Sequence, residues 1–306
     1  MIEEHEFEGL LESAYSHAQS EFRLEYVKPS LKVEFQNLQK AHDAVHECML
    51  LAPLLVPSIE NGWHRKSAFL IYHWEAFHHA HRSLYEALCA YYNVAFVLLR
   101  STFELVVKGA FWECLSHKEF RENSQTLDND KAGSEIKKWL AAIFEQAPDV
   151  QEEFERISAS IYDKVGPRVE DREFRPSIKT IVRQLDRWGM FDPIPKAEIQ
   201  VYTGIYDRLS ADVHVTPDKT DLGRRLTAET SEIFGEGLLP DTLHEYAMSL
   251  HEVMDLAIVV ELNIMGDFIK QYEEAKMNLR KRLDILERLG LEYSLKRAKQ
   301  LSEYAA

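Results

Sequence analysis

The chain of 306 residues carries 36 Lys and Arg against 51 Asp and Glu, a formal net charge of −15 with His neutral. A field of that sign excludes a protein that coats DNA, RNA or a membrane surface broadly. With 45% hydrophobic and 28% charged residues, 12 Gly and 10 Pro, the composition predicts a folded all-α chain, because turn-rich β folds need more Gly and Pro.

In chain order, a first helix is expected over residues 4–27, ending before Pro29. A second starts at an N-cap Ser30, runs to about Leu51 and stops at Pro53 and Pro57. After the Asn61-Gly62 turn, a helical block covers residues 67–116, bent near 90–93. A polar loop at 121–133 leads to helices at 134–146 and 149–164, and a charged loop follows at 166–175. Ser177 opens a helix to Trp188 that ends at Gly189, and Pro193-Ile194-Pro195 leads into another at 196–211. The loop 215–221 and the Gly235-Glu236-Gly237 turn flank a short helix, after which Asp241 caps one very long helix through Gly266 towards Leu289. The organisation is an N-terminal helical pair (1–62) packing on a core (63–266), with a C-terminal helical extension (267–306). Between Lys270 and Lys299 stand nine basic and five acidic residues, so this extension is locally basic. Its apolar positions Met265, Phe268, Tyr272, Ala275, Leu279, Leu283 and Leu286 recur every three or four residues, as a packing stripe does in cis or in an oligomer.

Cys48, Cys89 and Cys114 are odd in number and form no CxxC pair, so neither a disulfide framework nor a thiolate zinc site is indicated. The acidic N-terminus, MIEEHEFEGLL, is unlike a targeting peptide, and the apolar stretches at 91–99 and 256–265 are too short for a membrane span. The expectation is a cytoplasmic protein without membrane association.

The segment Tyr91 to Leu115 is apolar around most of its circumference, which makes its few polar residues informative. Asn93, Arg100, Glu104 and Lys108 are spaced by seven, four and four and share one helix face. Arg100 and Glu104 either neutralise each other as an i,i+4 ion pair, or line a cleft in which Arg100 holds an anion. In Tyr206-Asp207-Arg208-Leu209-Ser210-Ala211-Asp212-Val213-His214, a continued helix puts Asp207, Ser210 and His214 on one face. His214 is then either an acid or base oriented by Ser210 or Asp207, or a histidine favourably placed at a helix C-terminus.

"LLRSTFEL" (98–105), followed a hundred residues later by "YDRLSADVH" (206–214), resembles the LxRSxxE and YxxLSxxVH signatures of uncharacterised helical proteins in the HEPN-like superfamily, over residues 65–265. The resemblance implies a HEPN-like helical bundle that forms a homodimer. It also implies a metal-independent RNase of a toxin or antiviral defence setting, without a cofactor and with RNA or a protein as partner. Arg208 and His214 match the superfamily's pairing of an Arg and a His four to six residues apart. On that pattern His214 moves the proton of an RNA 2′-hydroxyl and Arg208 stabilises the phosphorane, with Arg100, Glu104, Lys108, Tyr206, Asp207 and Ser210 in support. Leu209 stands where active members carry a polar residue. Many members bind or assemble without catalysis, so a binding module on the same fold is the second reading.

A third reading comes from the histidines. His64, His73, His78, His79 and His81 cluster within twenty residues, and Glu75-Ala76-Phe77-His78 is the ExxH element of helical di-metal bundles. Asp43 to His46 and Asp241 to His244 carry the shorter Asp in the same spacing. No HExxH, Walker A, GxGxxG or GxSxG motif occurs.

Overall fold

The computed structural model describes residues 31–60, 67–116, 177–214, 216–228 and 237–303. Ten α-helices form the regular structure together with two 3-10 turns and one π-helical segment, and there is no strand among the described residues. The expected helices at 4–27, 134–146 and 149–164 and the loops at 121–133 and 166–175 lie outside them.

Helix α1 (Lys32–Leu55) buries Leu38, Ala41, Val45, Cys48, Leu51, Ala52 and Leu55, one stripe at helical spacing. It runs through Pro53 instead of stopping there. A proline this near the C-terminus forfeits one ladder bond, that of the Met49 carbonyl, while Leu55 beyond it gains burial. The expected block at 67–116 is two helices. Ser67 caps α2 (Ala68–Leu88) by accepting the Leu70 N–H at 3.2 Å. A turn through Ala90, at φ 61°, then reverses the chain into α3 (Tyr92–Ser116). The pair is antiparallel: a Cβ on Gly109 of α3 would lie 2.7 Å from the Tyr72 Cβ of α2, so the helices touch backbone to side chain where only glycine fits. Ser67 Oγ and the Phe69 N–H also both donate to the Glu113 carboxylate at 3.0 Å.

The helix expected from Ser177 is α4 (Ile178–Arg187), with Ser177 as its cap, and after it come a π-helical segment (Glu198–Tyr206), α5 (Asp207–Val213) and α6 (Asp221–Thr227). Helices α4 and α5 lean on α3. The centre of the molecule is α7 (Pro240–Ile264), buried on all sides from Val253 to Leu262. It begins at Pro240, with Leu239 at the N-cap and Asp241 in the first turn, so Asp241 is not its cap. Helices α1, α2, α3 and α7 thus make the core bundle.

The long helix expected from 241 towards 289 is broken twice. Helix α7 ends at Ile264, α8 spans Gly266–Gln271, and Tyr272 is extended (φ −119°, ψ 121°) before α9 (Glu273–Leu289). Gly290, left-handed at φ 70°, turns the chain into α10 (Glu292–Ser302). Those breaks fold the extension back on its own core. Ala275, Leu279 and Leu286 are fully buried. Asn278 donates to the Leu54 carbonyl at 2.9 Å, and Asp255 of α7 accepts the Ser294 N–H of α10 at 2.8 Å. No described helix is long and apolar enough to cross a membrane.

Candidate metal centre

The two sequence motifs meet in the fold. Arg100 of α3 donates from Nη2 to the Tyr206 hydroxyl at 2.8 Å and lies 5.0 Å from the centre of its ring, which packs on Phe103 and Tyr202. The Arg100 Nε donates to Glu104 at 3.1 Å, and Lys108 Nζ donates to the other Glu104 oxygen at 2.9 Å. The polar stripe is therefore a half-buried Arg–Glu–Lys relay in which Glu104 neutralises one of the two cations. Asn93 lies apart from it, its N–H donating to Asp221 at 3.1 Å.

Arg208 and His214 sit on α5, a regular helix in which residues six apart diverge by about 120°. Arg208 pairs with Glu252 of α7 and lines an open cleft of about 610 Å³ with His244, Glu245, His251, Glu252 and Tyr293, a lining that does not include His214. Glu245, Glu252, Asp255 and Glu292 all face this cleft, so a phosphate there meets more carboxylates than cations. His214 is exposed at the α5 C-cap. Asp207 is exposed too, and the enclosed Ser210 Oγ has no hydrogen-bond partner, so neither orients the imidazole. The residue of this segment with strong partners is Asp212, which sequence reasoning passed over. It is buried, accepts from Arg224 Nη2 at 2.6 Å, and lies 3.5 Å from Lys219 Nζ. The Asp two residues before the motif's His, and not the His, carries the packing.

The strongest convergence of ligand-type atoms lies elsewhere, on α1 and α2. His42 and His46, one turn apart on α1, meet Nε2 to Nε2 at 3.0 Å. His81 of α2 brings its ring to 5.7 Å and 5.6 Å from theirs. One ring nitrogen from each of the three lies within 4.8 Å of the others. The Asp43 carboxylate is 3.5 Å from His42 Nδ1 and is itself held by Gln39 Nε2 at 2.8 Å. The carboxylate thus faces the far nitrogen of His42, the side from which a carboxylate orients a metal-binding His. Burial, then the neighbouring His42, lowers the His46 pKa; burial, then His42, His46 and His78, lowers that of His81. Both shifts favour the neutral imidazole that a metal requires.

The ExxH pair does not enter this cluster. Glu75 is engaged with His79 at 3.3 Å, while His78 is exposed with its ring edge on Trp74 and Phe77. The signal that pointed to the triad was present in the sequence: His42 and His46 share a helix face at i,i+4. What the sequence withheld was which of the five α2-region histidines faces them.

A second convergence lies deeper. Cys48 (α1), His73 (α2) and Glu261 (α7) also place ligand atoms within 4.8 Å of one another, all three buried. The Cys48 thiol donates to Glu261 Oε1 at 3.4 Å, and His73 Nδ1 is 3.1 Å from the same oxygen. Burial pushes the Glu261 carboxyl well above the usual carboxylate range and the Cys48 thiol upwards, and it pushes His73 down to about 4.

No family model, no curated protein and no solved structure matches the chain.

Proposed function

We propose that the protein binds one divalent transition-metal ion at His42, His46 and His81, near the surface of its helical bundle. The observation that carries this reading is the 3.0 Å approach of two imidazole Nε2 atoms with a third imidazole beside them. In tetrahedral coordination, bonds of about 2.0–2.1 Å put ligand nitrogens roughly 3.3 Å apart. The donor set is all imidazole, which suits zinc, copper, cobalt or nickel and differs from the carboxylate-rich set of a di-iron bundle. Three protein ligands leave a fourth position for water or a substrate atom, and the half-exposed rim of the cluster gives access to it. An ion held by these three residues would supply Lewis-acid chemistry at its open position.

The test is metal content of the purified protein, wild type against His42→Ala, His46→Ala and His81→Ala, with His79→Ala as control. Loss of one equivalent in each of the three variants, and retention in the control, supports the reading. Equal metal in wild type and all three variants overturns it.

The bond between Arg100 and Tyr206 favours a second reading, because it unites the two motifs on which the HEPN-like resemblance rests. Under it, an RNA-acting site built on Arg208 and His214 needs a second copy of the chain, since one α5 points them apart. Cleavage of RNA in the presence of chelator, lost in His214→Ala, would select it over the metal centre; absence of cleavage by folded, dimeric protein leaves the motifs a structural or assembly role.

A further inference from the structure

Helix α7 presents a purely apolar surface to the core from Val253 to Leu262 except at Asp255 and Glu261. Asp255 is fully employed in holding the start of α10. Glu261 is not. It is fully buried, its Oε1 receives Cys48 and faces His73, and its Oε2 has no hydrogen-bond partner. A carboxyl group placed at the centre of a bundle with one oxygen bare is a costly arrangement unless something else shares the site.

We propose that Cys48, His73 and Glu261 form a second, structural metal site that takes a zinc-like divalent cation in the dry core, separate from the histidine triad. Four features of the chain fit such an ion. The donors are a thiol, an imidazole and a carboxyl, the types that zinc prefers, and the bare Oε2 supplies a fourth donor atom, as closed structural sites require. A thiolate and a carboxylate cancel the charge of a divalent ion, so the assembled site is neutral where a charged one would be prohibitive. The neighbouring Glu47 adds no net charge because Arg282 of α9 pairs with it. The imidazole also has an acceptor beside it: the backbone of Met49 and Cys48 lies against the His73 ring, and Pro53, having no N–H, leaves the Met49 carbonyl without its helical donor. Cys48, His73 and Glu261 are each 5% exposed or less, so water has no route to an open position and the role is to staple α1, α2 and α7 together.

Cobalt distinguishes this site from the triad, because only the buried set contains a thiolate. Full-length protein is produced in cobalt-supplemented and in zinc-supplemented medium, and its metal content and absorption spectrum are recorded. The expected wild type shows a thiolate-to-cobalt charge-transfer band. Cys48→Ser loses the band and one equivalent of metal while keeping the equivalent that belongs to the triad, and His46→Ala does the reverse. Glu261→Gln, nearly isosteric, loses the Cys48-dependent equivalent and unfolds at a lower temperature than wild type. The proposal is overturned if folded wild type has neither the band nor an equivalent sensitive to Cys48→Ser. It is overturned equally if Glu261→Gln leaves metal content and melting temperature unchanged, the behaviour of a metal-free hydrogen-bonded network. Because band and total metal are read separately, failure of the triad and failure of this site give different results.

Discussion

Asp43 is half exposed beside His42, so its substitution separates orientation of a ligand from stability of the fold. Asp43→Asn keeps the shape and removes the charge facing His42 Nδ1. Metal affinity at the triad should fall about 10–100-fold, as loss of such supporting carboxylates does elsewhere, in competition titrations against a chromophoric chelator, with the urea midpoint unchanged. Asp212 presents the opposite case. Its partner Arg224 is 5% exposed and stacks on Phe96, so Asp212→Ala leaves a buried guanidinium whose remaining carboxylate, Glu245, is 3.8 Å away and more exposed. Unfolding in urea should show a loss of about 3–5 kcal/mol, and replacing both partners by apolar residues should recover most of it. A loss below about 1 kcal/mol would mean that Lys219 and Glu245 rearrange to compensate. At this scale the motif residues Arg100, Glu104 and Lys108 were legible as a polar face in an apolar helix. Cys48 and Glu261 were not, because a lone Cys and a lone Glu in apolar runs acquire meaning only when another helix brings a histidine to them.

At the scale of elements, the pairing of α2 with α3 depends on one glycine. Gly109→Ala forces a Cβ to within 2.7 Å of the Tyr72 Cβ, a clash that a side-chain rotation cannot relieve because Cβ is fixed to the backbone. The expected cost is about 1–3 kcal/mol, read as a lower melting temperature, and an unchanged value would show that the two helices separate freely. Helix α9 gives a second test. Leu279 is fully buried where α9 covers α1, so Leu279→Ala should cost about 2–5 kcal/mol through lost burial and the cavity left behind. If α9 were instead an exchangeable arm, the substitution would be nearly silent in stability. The periodic stripe at Ala275, Leu279 and Leu286 told that α9 packs, and it was silent on whether its partner was this chain's core. The extended Tyr272, whose hydroxyl donates to Glu60 at 3.1 Å, reverses the chain so that the stripe meets α1.

For the whole molecule, the histidines make stability depend on pH. Burial holds His73 at about 4 and keeps His46 and His81 below the ordinary 6.5. Unfolding frees all three to take up protons near 6.5, so below that pH the unfolded state binds more protons and the native state loses ground. Glu261, whose pKa is raised well above the ordinary value, works in the other sense above 4.5, so the histidines are read in a Glu261→Gln background. Chelator-treated Glu261→Gln protein should lose urea resistance as the pH falls from about 7 to 5, because the rings buried neutral must then take up protons. Chelator-treated Glu261→Gln protein that grows more stable on acidification would contradict the burial of these rings. Composition and apolar spacing were enough to establish an all-helical chain, the helix that opens at Ser177 and the polar face through Arg100, because helix formation and amphipathicity are local properties of neighbouring residues. Which helices touch is not local. The turn at Ala90, the reversal at Tyr272 and the choice of His81 among its neighbouring histidines to meet His42 and His46 depend on burial shared between segments far apart in the chain. That shared burial also gathers Cys48, His73 and Glu261, which no spacing along the sequence connects.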